Sequence, residues 1–270
     1  MMKMSWTATT AVACAVALAL EAIAVTGWFR AERPSPTVQA QTQTQEQAQP
    51  ATVPVAQLAV PMAAQPASHE DSDYAQLRSR IRWVGTRIGD RELLTPDASS
   101  RVLLARSAAE RAGLNEVGLS FKDVYGIINA ETSWIPRMGA SKDGTPNLGL
   151  AQFEPATARA LGLRNPNDPV AAIHAAALHM KDAAEWSANR IAGLKLGADE
   201  RARKLREGVS IFYNLSTKGR NRWNGTNTAR LPIETRLHIR NAATGAQMAA
   251  QLAQQLDTRQ ASSGFTLAGG

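Results

Sequence analysis

The sequence predicts an all-α fold carried behind an N-terminal apolar segment and a long tether. Three observations carry that expectation. Apolar residues recur at helical spacing through most of residues 71–260, strand signals are scarce, and ahead of residue 71 an apolar run is followed by a stretch whose composition cannot bury enough surface to build a core. The helical stripes are Leu77, Ile81, Val84 and Ile88; Leu103, Leu104, Ala108 and Ala112 before Gly113; Ile173, Ala177, Met180 and Ala184; and Leu205, Val209, Phe212 and Tyr213. Asp168-Pro169 reads as a cap followed by proline at the first helical position.

In chain order, Lys3 precedes an apolar run from Ala8 to Phe29, close to the roughly 20 residues a membrane-spanning helix needs. Glu21 interrupts it and Ala22-Ile23-Ala24 resembles a small-residue cleavage site. Residues 1–30 are therefore expected to be a signal peptide or a membrane anchor, and the protein to work in the periplasm, held at the inner membrane or released by cleavage. Residues 31–70 are rich in Gln, Ala and Pro, with no aromatic residue between Pro34 and Ser68, and are expected to be a disordered linker. One helical domain follows over 71–260, then a flexible tail over 261–270.

The chain of 270 residues has 44% hydrophobic and 20% charged residues, which excludes a wholly disordered or fibrous protein. Its net charge of +7 gathers in Arg201, Arg203, Lys204 and Arg206, in Lys218, Arg220 and Arg222, and in Arg236 and Arg240. No aromatic-interleaved motif accompanies these runs, so they read as solvated faces and no nucleic-acid partner is expected. Cys14 is the only cysteine, so neither a disulfide framework nor a cysteine metal site can form. His174 and His179, five apart, do not share a helix face, and no metal or cofactor is expected.

The chemistry centres on a helix that Ser120-Phe121-Lys122-Asp123 opens in the form of a capping box. Val124, Ile127 and Ile128 form its apolar stripe, and the same spacing puts Glu131 on that face, with Pro136 expected to end the helix. Desolvation there would favour the protonated form, which suits a general acid. Spacing alone equally allows a carboxylate paired with a buried arginine or turned outward.

Further motifs favour the acid. Glu131-Thr132-Ser133-Trp134-Ile135-Pro136 is followed by Ser141, Gly144, Gly149-Leu150-Ala151-Gln152 and Pro155-Ala156-Thr157-Ala158, then by Tyr213-Asn214 and by Pro232-Ile233-Glu234-Thr235-Arg236. In that order they resemble the soluble lytic transglycosylase family, relatives of goose-type lysozyme, over roughly residues 120–240. The resemblance implies a lysozyme-like helical domain that cleaves the bond between N-acetylmuramic acid and N-acetylglucosamine in peptidoglycan. Glu131 would protonate the glycosidic oxygen while the neighbouring acetamido group assists. The same residue, now ionised, would take the proton of the C6 hydroxyl as the anhydro ring closes, so a single carboxyl group suffices. Ser141 and Gln152 would contact the sugar, and Tyr213 and Asn214 would line the cleft. Bland roles remain open: Ser141 in a turn, Gln152 in packing, Tyr213 in the core. Asp143 reads as a loop residue and Glu154 as solvent-facing.

The chain departs from the family pattern at Thr132, Ala151, Leu215-Ser216 and His238, which stands where a tyrosine is usual. Two other functions fit the same residues. One is a goose-lysozyme or chitinase type of hydrolase. The other is a peptidoglycan-binding component of an envelope or secretion machine that does not turn over.

Overall fold

The computed structural model describes residues 69–141 and 143–266. The expected membrane segment and nearly all of the expected linker lie outside them. Among the described residues no helix is long and apolar enough to cross a membrane.

The described chain is mostly helical. Helix α1 (His69–Ser79) leads into an antiparallel hairpin of β1 (Trp83–Ile88) and β2 (Arg91–Pro96). Helix α2 (Ala98–Arg111) follows, and Asp97 caps it by accepting the Ser100 N–H. A 3₁₀ turn (Leu114–Val117) connects to α3 (Phe121–Thr132), which Asp123 steadies by accepting the backbone N–H of Ser120, as the capping-box pattern predicts. A two-rung hairpin of β3 (Gly139–Ala140) and β4 (Pro146–Asn147) then precedes α4 (Pro155–Ala160). The remaining helices are α5 (Pro169–Ile191), α6 (Ala198–Asn214), the single turn α7 (Thr217–Arg220) and α8 (Ile233–Thr266).

Helix α5 is the buried axis of the core. Ala172, Ile173, Ala176, Ala177, Met180, Ala183 and Ala184 are each at most 1% exposed, and the alanines let neighbouring helices approach closely. Helices α2 and α3 pack on it, and α8 crosses α3. At that crossing Gly126 and Gly245 meet: a Cβ added at 126 would lie 2.3 Å from the Ala242 carbonyl oxygen. A smaller apolar cluster of Ile191, Ile211, Trp223 and Leu231 closes the far end, with Trp186 stacked on Trp223.

Two expectations are corrected. The stripe Leu77, Ile81, Val84, Ile88 is not one helix. Helix α1 stops at Ser79, and Val84-Gly85-Thr86-Arg87-Ile88 forms a strand, because glycine and β-branched residues disfavour a helix and suit an extended chain. Ile88 pairs with Arg91 around Gly89-Asp90, and Gly89 takes the positive φ (55°) that a two-residue turn demands. At the other end α8 continues to Thr266, past the boundary expected at residue 260, with Ala249 and Ala253 buried along it.

Candidate active site

Glu131 lies in the last turn of α3. The helix ends at Thr132, four residues before Pro136, because Ser133 (φ 52°) and Trp134 (φ 66°) both turn left-handed. Two successive non-glycine residues in that region store strain, about 1–3 kcal/mol each, and persist only where the surroundings enforce them. The surroundings are visible. Trp134 is fully buried against Tyr125, with ring centroids 4.8 Å apart. The buried Thr95 hydroxyl at the end of β2 donates to the Trp134 carbonyl (2.6 Å) and accepts from Arg101 (2.9 Å). Arg137 donates to the Glu131 main-chain carbonyl (2.7 Å), which satisfies one orphan acceptor at the helix end.

The Glu131 carboxyl group neither pairs with an arginine nor stands in bulk water. Its side chain is 16% exposed, and its Oε1 lies 2.8 Å from Nε2 of His238 on α8, itself 6% exposed. With Nε2–H donating to the carboxylate, Nδ1 of His238 is a buried acceptor with no hydrogen-bond partner among the described residues. Tyr213 flanks the carboxylate from α6. Burial first, and the Glu131 charge second, hold its phenol well above the ordinary range, so it stays a neutral donor. Its hydroxyl donates to the Ala151 carbonyl (3.4 Å), while its ring packs against Phe153 and His179. Tyr213 thus has both a core role and a place beside the acid.

Several other motif residues are held by hydrogen bonds of their own. The buried Thr132 hydroxyl reaches the Leu150 carbonyl (3.0 Å), fastening the Gly149–Gln152 turn under the end of α3. Gln152, at φ 51°, spends both amide hydrogens on the carbonyls of Arg137 (2.8 Å) and Gly149 (2.9 Å). Only its Oε1 remains for a ligand, and that atom lies so close to Gly139 that an added Cβ there would come within 2.5 Å. Asn214 accepts from Thr235 (2.8 Å), which joins the end of α6 to the start of α8.

Ser141 is bonded not to Glu131 but to Glu154 and, at 3.4 Å, to Asn147. This corrects the reading of Glu154 as solvent-facing: it is half-buried and accepts the Ser141 hydroxyl. Asp143 is a loop residue that accepts from the Thr145 N–H. His174 bonds to Tyr74, and His179 sits among Phe153, Phe212 and Tyr213. Among the described residues no group of three or more His, Cys, Asp or Glu is placed to hold a metal ion.

Sequence reasoning named His238 only as a departure and missed its bond to Glu131. The signal available was its position on the turn of helix after Thr235. Thr95, and with it Arg101, carried no signal, because the Trp134 carbonyl that Thr95 bonds is 39 residues away. Two cavities are nearby. One of about 500 Å³ lies between α3, α6 and α8, around Leu119, Asp123, Ile127, Arg206 and Arg240. The other, about 780 Å³, lies along β1 and β2 and reaches Pro136. Glu131 lines neither.

No family model matches the chain, and neither a curated protein nor a solved structure matches it.

Proposed function

We propose that the protein is a peptidoglycan lytic transglycosylase with a lysozyme-like domain, in which Glu131 is the single acid and base. The observation that carries this reading is convergence. Four segments, spread from residue 131 to residue 238, are joined to one another by hydrogen bonds from His238 to Glu131, Thr132 to Leu150, Tyr213 to Ala151 and Thr235 to Asn214, and of these residues His238 bonds the Glu131 carboxyl group and Tyr213 feels its charge. The motif residue Ser141 stays outside this group, bonded to Glu154 and Asn147.

The chemistry follows from the surroundings of the acid. Protonated Glu131 gives its proton to the glycosidic oxygen as the C1–O bond breaks, and the sugar's own acetamido oxygen closes on C1. The carboxylate left behind keeps a hydrogen bond from His238 and has the neutral phenol of Tyr213 in its neighbourhood, so its charge is not stranded on a side chain that is only 16% exposed. It then takes the proton of the C6 hydroxyl while that oxygen attacks C1 and displaces the acetamido group, which leaves an anhydro-muramoyl end and returns Glu131 to its acid form. No second carboxylate is required. Glu154, another acid in the motif segment, is engaged with Ser141.

This reading places the protein in the periplasm, with peptidoglycan glycan strands as substrate, no cofactor, and an envelope or secretion machine as its setting. The test is digestion of purified peptidoglycan by the native chain and by Glu131→Gln. Anhydro-muramoyl ends from the native chain alone are expected. Reducing ends would instead make it a hydrolase, and equal products from both chains, or none from either, would remove Glu131 from the chemistry.

A further inference from the structure

The first hairpin is not needed to hold Glu131 except through Thr95, yet it presents a shaped surface. In an antiparallel pair the side chains of opposed residues share a face, so the register Trp83↔Pro96, Gly85↔Leu94, Arg87↔Glu92 puts these six on one side. Trp83 is 40% exposed and Leu94 is 60% exposed. Gly85 lies between Trp83 and Arg87, and a Cβ there would meet nothing within 4 Å, so the middle of this face is open. At the far end Arg87 and Glu92 pair at 3.1 Å with both side chains facing water. Five of these six, with Thr86, Leu93 and Pro136, line a cavity of about 780 Å³ that has the indole of Trp83 and the charged pair of Arg87 and Glu92 in its wall. A volume of that order holds a ligand of two or three sugar rings.

We propose that this trough is a sugar subsite that takes units of a glycan strand running on from the Glu131 site; the inference rests on the transglycosylase reading. Three features favour a saccharide. A sugar ring has an apolar C–H face and a rim of hydroxyl and acetamido groups. An exposed indole accepts the face, and a guanidinium beside a carboxylate supplies donors and acceptors for the rim. The trough is also tied to the catalytic segment. Pro136 is on its rim five residues past Glu131, and β2 is fixed to the same turn by the bond from Thr95 to the Trp134 carbonyl. Finally, the proposed substrate is a polymer, so units beyond the scission point must lie against some part of this surface.

The test uses the full chain with Glu131→Gln, so that binding is read without turnover, and peptide-free glycan strands of graded length as the probe. Two further substitutions are compared in that background. Trp83→Ala removes the stacking wall. Gly85→Thr fills the open middle with a residue that strands favour, at a position where an added Cβ meets nothing within 4 Å. Both are expected to weaken binding of long strands roughly five- to tenfold, with a smaller effect on the shortest ones and an unaltered melting temperature. Undiminished binding of long strands by the Gly85→Thr chain overturns the subsite, and would leave a protein surface as the alternative occupant, while cleavage by the native chain still stands. If the Glu131→Gln chain binds no glycan of any length, the subsite and the transglycosylase reading fall together.

Discussion

Replacing Gly126 by alanine is expected to damage both the fold and the site. At the crossing of α3 and α8 the new Cβ would lie 2.3 Å from the Ala242 carbonyl oxygen, where ordinary contact needs 3.4 Å or more, so the helices must part by about 1 Å. The obstacle is backbone and cannot swing aside. Overpacking of this kind costs up to about 3 kcal/mol, and the better helix propensity of alanine returns up to about 1 kcal/mol. A net loss of about 2 kcal/mol corresponds to a melting temperature lower by about 4–8 °C in a domain of this size. Glu131 is five residues further along α3, so the same displacement reaches it and stretches its 2.8 Å contact with His238 beyond hydrogen-bonding range. A misplacement of about 1 Å at a reacting group can cost about a hundredfold in rate. Thermal denaturation followed by circular dichroism, and the rate of anhydro-muramoyl product formation, read the two effects separately. An unchanged melting temperature would refute the packing argument. A lower one with turnover intact would refute the claim that this crossing positions the acid.

Removing the imidazole donor with His238→Phe is expected to lower kcat by about 10–100-fold with little change in KM, and His238→Gln, whose amide can still donate, to recover much of it; steady-state kinetics on solubilised glycan decides. Thr95→Val deletes the bond to the Trp134 carbonyl and leaves Arg101 without that acceptor, so a loss of about 1–3 kcal/mol in urea unfolding is expected, together with slower turnover. Burial among aromatic rings pushes the His179 imidazole below its ordinary value, with Asp182 opposing and Arg220 assisting, so the unfolded chain binds the proton more readily than the folded one. Stability linked to His179 is therefore fully present above the ordinary histidine value of 6.5 and falls as pH drops below it, a slope that His179→Phe is expected to flatten in melting curves between pH 7 and about pH 5. At Asp97 burial raises the carboxyl but is outweighed by the Ser100 N–H, the Ser99 and Ser100 hydroxyls and Arg82, so its capping contribution holds at neutral pH and is lost only below the ordinary carboxylate range. Asp97→Ala is expected to cost about 1 kcal/mol at pH 7 by chemical denaturation.

The helical core was readable in the sequence because its stripes are long and its caps conventional. Met180 and Ile173 lie on the buried face that their spacing predicts, and Asp168-Pro169 starts α5 as expected. The hairpin was not legible because Ile81, Val84 and Ile88 fit both a helical period and a strand, and the deciding features were Gly85 among them and Gly89 just after. At the site, the position of Glu131 on the inner face followed from the stripe before it. Its partner did not, because a contact between residues 107 apart depends on how closely two helices cross, and that is set by Gly126 and Gly245 rather than by any local pattern. The left-handed pair Ser133 and Trp134 was equally illegible, since neither residue type favours that conformation and only the burial of Trp134 and the Thr95 bond enforce it.

Helix α8 behaves as a lever with unequal arms. It crosses α3 close to Gly245, about 10 Å along the axis from His238 but about 31 Å from Thr266. A sideways push of about 3 Å at the far tip therefore reaches the imidazole as only about 1 Å, and the pairing of Asp257 with Arg106 damps the longer arm further. The short arm carries the residue that touches the acid, so disturbances at the carboxyl-terminal end of the helix are geared down before they arrive at Glu131.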